Sequence, residues 1–318
     1  MSSSRQLNSF RAIKGNPGGG ETDMAKIGIV HVTEYTYRNP VGLLRHKLMI
    51  RPDESHDLRL HSAALKVEPE PTGIYWKNDV FNNSICFLEW PAALRTTRLS
   101  IISTLDITHH PDGQSLPVYR LDATAELFPF SYAAHEIPDL APLAERQMPD
   151  PDRKVDAWAR RVVADAESKQ TLNVLEAMTH AIKEEFRCGA RHEEGTQTAA
   201  QTLALGSGTC RDFAVLMMEA LRSFGLATRF VTGYLYDDTA GTTRGGGSTH
   251  AWCSVYLPGA GWVEYDPTNG LVAGANLVRV GVTREAEQAL PISGGFIGNA
   301  DDPTGLHVDV SVHATPIV

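Results

Sequence analysis

Six prolines between His110 and Pro149 divide this chain into two stretches of different hydrophobic period, and no other feature constrains its fold as strongly. Proline fixes φ and removes a backbone donor, so Pro111, Pro117, Pro129, Pro138, Pro142 and Pro149 leave too little uninterrupted chain for a regular element. Residues 111–149 therefore read as a connector wrapped on the surface. Before them, short alternating or β-rich runs (27–37, 43–50, 58–67, 74–76, 84–90 and 98–107) are separated by turn signals such as Asn39-Pro40, Arg51-Pro52-Asp53 and Asn82-Asn83. That spacing predicts an N-terminal antiparallel β-sandwich or barrel over residues 25–110.

Beyond the connector the period changes to that of helices. Asp150-Pro151 reads as an N-cap followed by proline at the first helical position, and Val155, Trp158, Ala159, Val162 and Ala166 recur at helical spacing. A second helix places Leu172, Leu175, Met178, Ile182 and Phe186 on one face, and a short third runs from Thr198 to a stop at Gly206. A fourth begins near Cys210, with Phe213, Leu216, Met217, Ala220, Leu221 and Phe224 as its apolar stripe and Gly225 as its stop. Burial of that stripe fixes the helix axis and holds its first residue rigidly. Strands follow at 227–236, 250–256 and 262–266, with a Gly- and Thr-rich loop at 237–248 that reads as a mobile lid at a cleft edge. The fold class is α+β: residues 150–270 form a core of helices on an antiparallel sheet, and residues 271–318 form a C-terminal β segment.

Residues 1–24 have no periodic apolar pattern and read as a disordered leader, with Met24 an alternative start. Lys plus Arg at 29 against Asp plus Glu at 38 leaves 29 − 38 = −9, which argues against a nucleic-acid partner. No run approaches the roughly 18 apolar residues of a membrane span, so no membrane partner is expected. Cys86, Cys188, Cys210 and Cys253 are few and widely spaced, without a CxxC pair, which predicts a reducing, cytoplasmic setting and no structural zinc. No motif calls for a cofactor or another metal.

Cys210 follows the glycine-broken turn Gly206-Ser207-Gly208-Thr209 and opens a helix. Unpaired N–H groups and the helix dipole favour a thiolate there. His250 begins one later strand and Asp266 ends the next, so a base and its orienting carboxylate are available to a thiol nucleophile. The register is demanding. If Tyr256 pairs with Trp262 across a five-residue loop, or a bulge restores the same parity, Asp266 lies opposite Trp252 and diagonal to His250, roughly 7–8 Å away between backbones and within side-chain reach. A two- or four-residue loop would turn Asp266 to the other face. Thr209, Asp212 and Trp252 are further candidates for a substrate or oxyanion pocket. An acid in a first helical turn is also a cap partner, and an aromatic on a strand is also core.

The blocks Gly208-Thr209-Cys210-Arg211-Asp212-Phe213-Ala214, His250-Ala251-Trp252, Val255 through Trp262, and Asp266-Pro267-Thr268-Asn269-Gly270 together resemble the motifs of the bacterial transglutaminase-like superfamily. The front domain, through His31 to Tyr37 and Asn39-Pro40-Val41, is similar to the β-rich region preceding this core in bacterial members. Residues 291–295 and 308–312 resemble its C-terminal strand region. The resemblance implies a papain-like core with Cys210 as nucleophile, His250 as general base and acid, and Asp266 as orienting carboxylate. It implies a protein or peptide substrate and acyl transfer through a thioester, resolved by water in a peptidase or amidase. Resolution by a second amine, or a noncatalytic binding module, are the alternatives.

Overall fold

The computed structural model describes residues 25–109, 120–189, 195–236, 249–272 and 276–316. The leader and the Gly-rich loop 237–248 lie outside the described residues. The front of the chain forms two antiparallel sheets. Strand Ala25–Leu43 lies at the centre of the first, buried at Ile27, Ile29, His31 and Thr33 as period two requires. On one side it pairs with Thr96–His109 (Ile27 opposite Ile107), and Leu58–Glu68 pairs beyond that. The second sheet is ordered Ile292–Ser293, His46–Leu48, Ser84–Glu89, Gly73–Asn78. Leu48, Cys86, Leu88, Leu99 and Ile101 fill the space between the two sheets, completing the sandwich.

The other side of Ala25–Leu43 is taken by the C-terminal strand Pro303–Pro316, with Ile27 opposite Ala314 and Tyr35 opposite Leu306. The C-terminal β segment is therefore shared between two bodies. Leu277–Thr283 completes the sheet of the helical core, and residues from Ile292 onward return to the front domain.

The connector holds more structure than its prolines suggest. Ile137–Ala144 is an α-helix with Pro138 in its first turn, where no donor is needed, and Pro142 inside it. Pro142 forfeits one backbone bond, and a helix of two turns around the buried Leu140 tolerates that loss. The segment is also anchored rather than laid on the surface. Phe128 is buried, and the Tyr132 hydroxyl donates to the Tyr256 carbonyl at 3.0 Å and accepts from the Ala227 N–H at 2.8 Å.

Four further helices, Lys154–Asp165, Thr171–Glu185, Ala199–Leu205 and Cys210–Arg222, pack around the last of them. The first starts three residues later than Asp150-Pro151 predicts, because Arg153 adopts a left-handed φ of 54°. Asp150 caps it nonetheless: its carboxylate accepts from the N–H groups of Lys154 at 2.9 Å and Val155 at 3.0 Å. The core sheet runs Leu271–Val272, Gly261–Asp266, Thr249–Leu257, Thr228–Leu235, Leu277–Thr283, with helix Cys210–Arg222 against its middle strands. No helix among the described residues is long and apolar enough to cross a membrane.

Candidate active site

Cys210 is held at the helix start by interactions on both sides of it. Ser207-Gly208 pairs in parallel with Arg187-Cys188, and Gly208 is required there: a Cβ would meet that of Asp212 at 2.9 Å. Thr209 is the N-cap and forms a capping box with Asp212, whose carboxylate accepts from the Thr209 N–H at 2.8 Å and hydroxyl at 2.9 Å. The other Asp212 oxygen accepts from the Gln197 N–H at 2.7 Å. Asp212 is fully buried and spent on this cap, and Thr209 serves the same cap. Arg211 donates to the carbonyls of Ala286 and Ala289, and its guanidinium lies 4.8 Å over the Phe230 ring. Every residue from Asp212 to Arg222 is buried, while Cys210 stays partly exposed.

The far end of that helix is tied by a buried ion pair. Glu219 accepts from the Arg222 guanidinium at 3.1 Å and from the backbone N–H groups of Gln147 and Met148. Arg222 also donates to the carbonyls of Thr228 and Arg284, so the helix cannot slide against the sheet.

The hairpin register is the one required: Tyr256 pairs with Trp262, Leu257 with Gly261 and Cys253 with Tyr265. Pairing continues one step beyond the expected five-residue loop, to Leu257 and Gly261, leaving three residues in the turn; the same odd parity puts Asp266 on the His250 face. The His250 Nε2 and Asp266 Oδ2 atoms are 2.8 Å apart, and both side chains are completely buried. Asp266 Oδ1 accepts from the Thr268 N–H at 2.9 Å, and Oδ2 also accepts from the Asn269 amide at 2.8 Å. Burial raises the Asp266 pKa, but His250 and the side-chain and backbone donors of Asn269 overcome it and hold the carboxyl below its usual 3.8. Burial likewise pulls the imidazole down, yet the charge and hydrogen bond of Asp266, aided by Cys210, lift it from 6.5 to about 10. Nδ1 is buried with no formed hydrogen bond. With Nε2 held by Asp266, Nδ1 is the ring nitrogen left uncommitted.

The structure thus brings Cys210, His250 and Asp266 to one place and gives Trp252, Asp212 and Thr209 supporting positions. Trp252 is fully buried and stacks on His250, with ring centroids 5.9 Å apart at 27°. Its indole N–H donates to Glu264 at 2.9 Å, so it supports the histidine ring from behind instead of lining an open slot. Glu264 lies outside the motif blocks, while Asn269 and Arg211 stand within them with no role assigned. Only Asn269 carried a local signal, since Asp-Pro-Thr-Asn is turn chemistry that folds donors back onto the Asp.

Residues 156–267 match the transglutaminase-like superfamily, and residues 27–108 match the bacterial transglutaminase-like N-terminal region. The uncharacterized Mycobacterium tuberculosis protein Rv2569c is 27% identical over 301 residues, covering 91% of this chain and 92% of its own. The uncharacterized Mycobacterium leprae protein ML0607 is 26% identical over 297 residues, covering 91% and 99%. The crystal structure of a candidate cysteine protease from Cytophaga hutchinsonii has the same fold, with a TM-score of 0.64 at 20% identity over 92% of this chain and 93% of that one. With both of its bodies matched in order, a β-rich N-terminal region and then the helical core on its sheet, the chain belongs to the transglutaminase-like superfamily.

Proposed function

We propose that Cys210, His250 and Asp266 act as a thiol acyl-transfer triad that hydrolyses peptide or glutamine-type amide bonds. The buried His250–Asp266 pair carries this reading: it keeps the imidazole charged while leaving Nδ1 unbonded beside a cysteine at a helix start. A carboxylate locked on Nε2 fixes the ring and its tautomer, which is what a base that must also act as an acid requires.

In the proposed cycle the Cys210 sulfur attacks the amide carbonyl carbon. The oxyanion is met by the Cys210 backbone N–H at the positive end of the helix dipole. His250 gives its proton to the departing amine as the C–N bond breaks, leaving a thioester. His250, now neutral, takes a proton from water as its oxygen attacks the thioester carbonyl; the C–S bond breaks, releasing the acid and the Cys210 thiolate beside the recharged imidazolium. The cysteine usage of the sequence extends the proposal to a reducing, cytoplasmic compartment.

Incubation with a peptide library, with and without a primary amine, tests the reading by mass spectrometry. Cleaved or deamidated products that disappear in Cys210→Ala support hydrolysis. Amine adducts on glutamine would move the reading to transamidation. Neither product, together with Cys210 alkylation by iodoacetamide no faster than that of a free thiol and unchanged in His250→Ala, would make this a binding module.

A further inference from the structure

A cavity of about 500 Å³ lies where the front-domain residues 53–57 and 81–83 meet the core sheet. Its sheet wall includes Arg229, Trp262, Glu264 and Arg279. Ser254 is paired with both Arg229 and Glu264, and His250 with Gly233, which in turn pairs with Arg279. Directly paired residues share a face, so this wall is on the same face as His250. At about 3.3 Å per residue, Ser254 is about 13 Å further along the strand from His250. Fully buried Trp252 lies between them, and neither Cys210, His250 nor Asp266 lines the cavity.

The charges in this wall are unevenly matched. Arg279 donates to Glu264 at 2.6 Å and to Asp57 at 3.4 Å, so both carboxylates are committed to it. Glu264 also holds the Trp252 indole. Arg229 has no ion pair among the described residues: its guanidinium is stacked 3.7 Å over Trp262, and its Nε donates to the Ser254 hydroxyl at 3.4 Å. Burial, then Arg279, draw its pKa down to about 10, with Glu264 opposing them, so it is still charged at neutral pH. A half-buried guanidinium has five donors in a planar fork and is costly to leave without a counter-charge. Among the described residues its terminal nitrogens have no acceptor, and Arg229 borders a cavity large enough for a short peptide.

We infer that this cavity is a second binding site, separate from the catalytic centre, in which Arg229 takes the free carboxylate of a short peptide. The acidic residues Asp53 and Glu54 line the same cavity. They disfavour a phosphate or other polyanion and complement the ammonium end of a zwitterionic peptide. Phe81 and Trp262 supply apolar and aromatic surface for its side chains.

Isothermal titration of the full chain with the dipeptide alanyl-phenylalanine, its carboxamide and inorganic phosphate tests this. Saturable binding of the free acid is expected, weakened about tenfold or more for the carboxamide, as for loss of a hydrogen bond to a charged group. No binding of phosphate is expected. Arg229→Met should abolish the preference for the acid, and Arg229→Lys should retain it with weaker affinity because the planar fork is lost. Cys210→Ala should bind like the wild type. Equal binding of acid and carboxamide by the wild-type chain, preferential binding of phosphate, no saturation by the acid at millimolar concentration, or loss of binding in Cys210→Ala would each overturn the inference. The acid-against-carboxamide comparison needs no variant to fold, and none of these readouts depends on turnover.

Discussion

Asp266 serves two donors through one oxygen, His250 Nε2 and the Asn269 amide, while its other oxygen is fixed by the Thr268 backbone. Asp266→Asn would present an amide in place of a charge, and in the proposed mechanism should lower kcat by about 10²- to 10⁴-fold with KM little changed. Steady-state kinetics on any substrate found by the library screen checks this. The same substitution has a pH signature. Folding raises the His250 pKa from 6.5 to about 10, against the effect of burial, so the pair's stabilisation is complete below pH 6.5 and is lost as pH rises toward 10. Asp266 is held below 3.8, so its share is present above pH 3.8 and is lost on further acidification. The Tm difference between wild type and Asp266→Asn should therefore be widest between pH 3.8 and 6.5 and narrow toward pH 10. Cys210, His250 and Asp266 were legible as residues because each stands at a marked break in the sequence: a glycine turn, a strand start, an Asp-Pro. Glu264 was not legible, since an acid on a strand acquires its meaning only when Trp252 arrives diagonally across the hairpin.

Helix Cys210–Arg222 is anchored at both ends, and the two anchors differ in kind. The capping box at its start uses neighbours in sequence, and Thr209→Ala should cost about 0.5–2 kcal/mol, read by denaturant unfolding. The Glu219–Arg222 pair at its end is buried and joined to strands far along the chain. Glu219→Ala would leave a buried guanidinium unpaired, for an expected loss of about 3–5 kcal/mol in the same measurement. Sheet packing is equally strict at Gly233, where a Cβ would lie 2.1 Å from the Val278 carbonyl oxygen and 2.7 Å from the Trp252 ring. Gly233→Ala should destabilise by at least about 1–3 kcal/mol and disturb the stack on His250. The amphipathic helices and the hairpin parity could be read from periodicity, which is a local property. The connector helix could not, because Leu140 and the tyrosine hydroxyl at 132 are held by distant strands that outweigh what the prolines cost.

Across the whole molecule the two bodies are joined by polar contacts as well as by apolar packing. His31, on the central front strand, bonds through Nδ1 to the Tyr234 hydroxyl of the core sheet at 3.1 Å and through Nε2 to Thr33 at 3.0 Å. Burial lowers its pKa from 6.5 to about 4. Between those two values the unfolded chain takes up a proton that the folded chain refuses, so stability should fall as pH drops from 6.5 to 4. His31→Gln should flatten that part of the Tm-against-pH curve. Asn83 adds a second link, donating to the Val282 carbonyl at 2.7 Å and accepting from its N–H at 2.8 Å. By itself the sequence determined the order of β-rich and helical stretches, the helix that presents Cys210, and the residue types of the proposed triad, since periodicity, caps and turn residues act within a few positions of one another. Only the tertiary structure decided that the last strand belongs to the first sheet, that Trp252 supports His250 from within the core, and that Arg229 borders a cavity with no ion-pair partner among the described residues. Those outcomes depend on which distant surfaces meet, and burial and charge pairing take their values from that meeting.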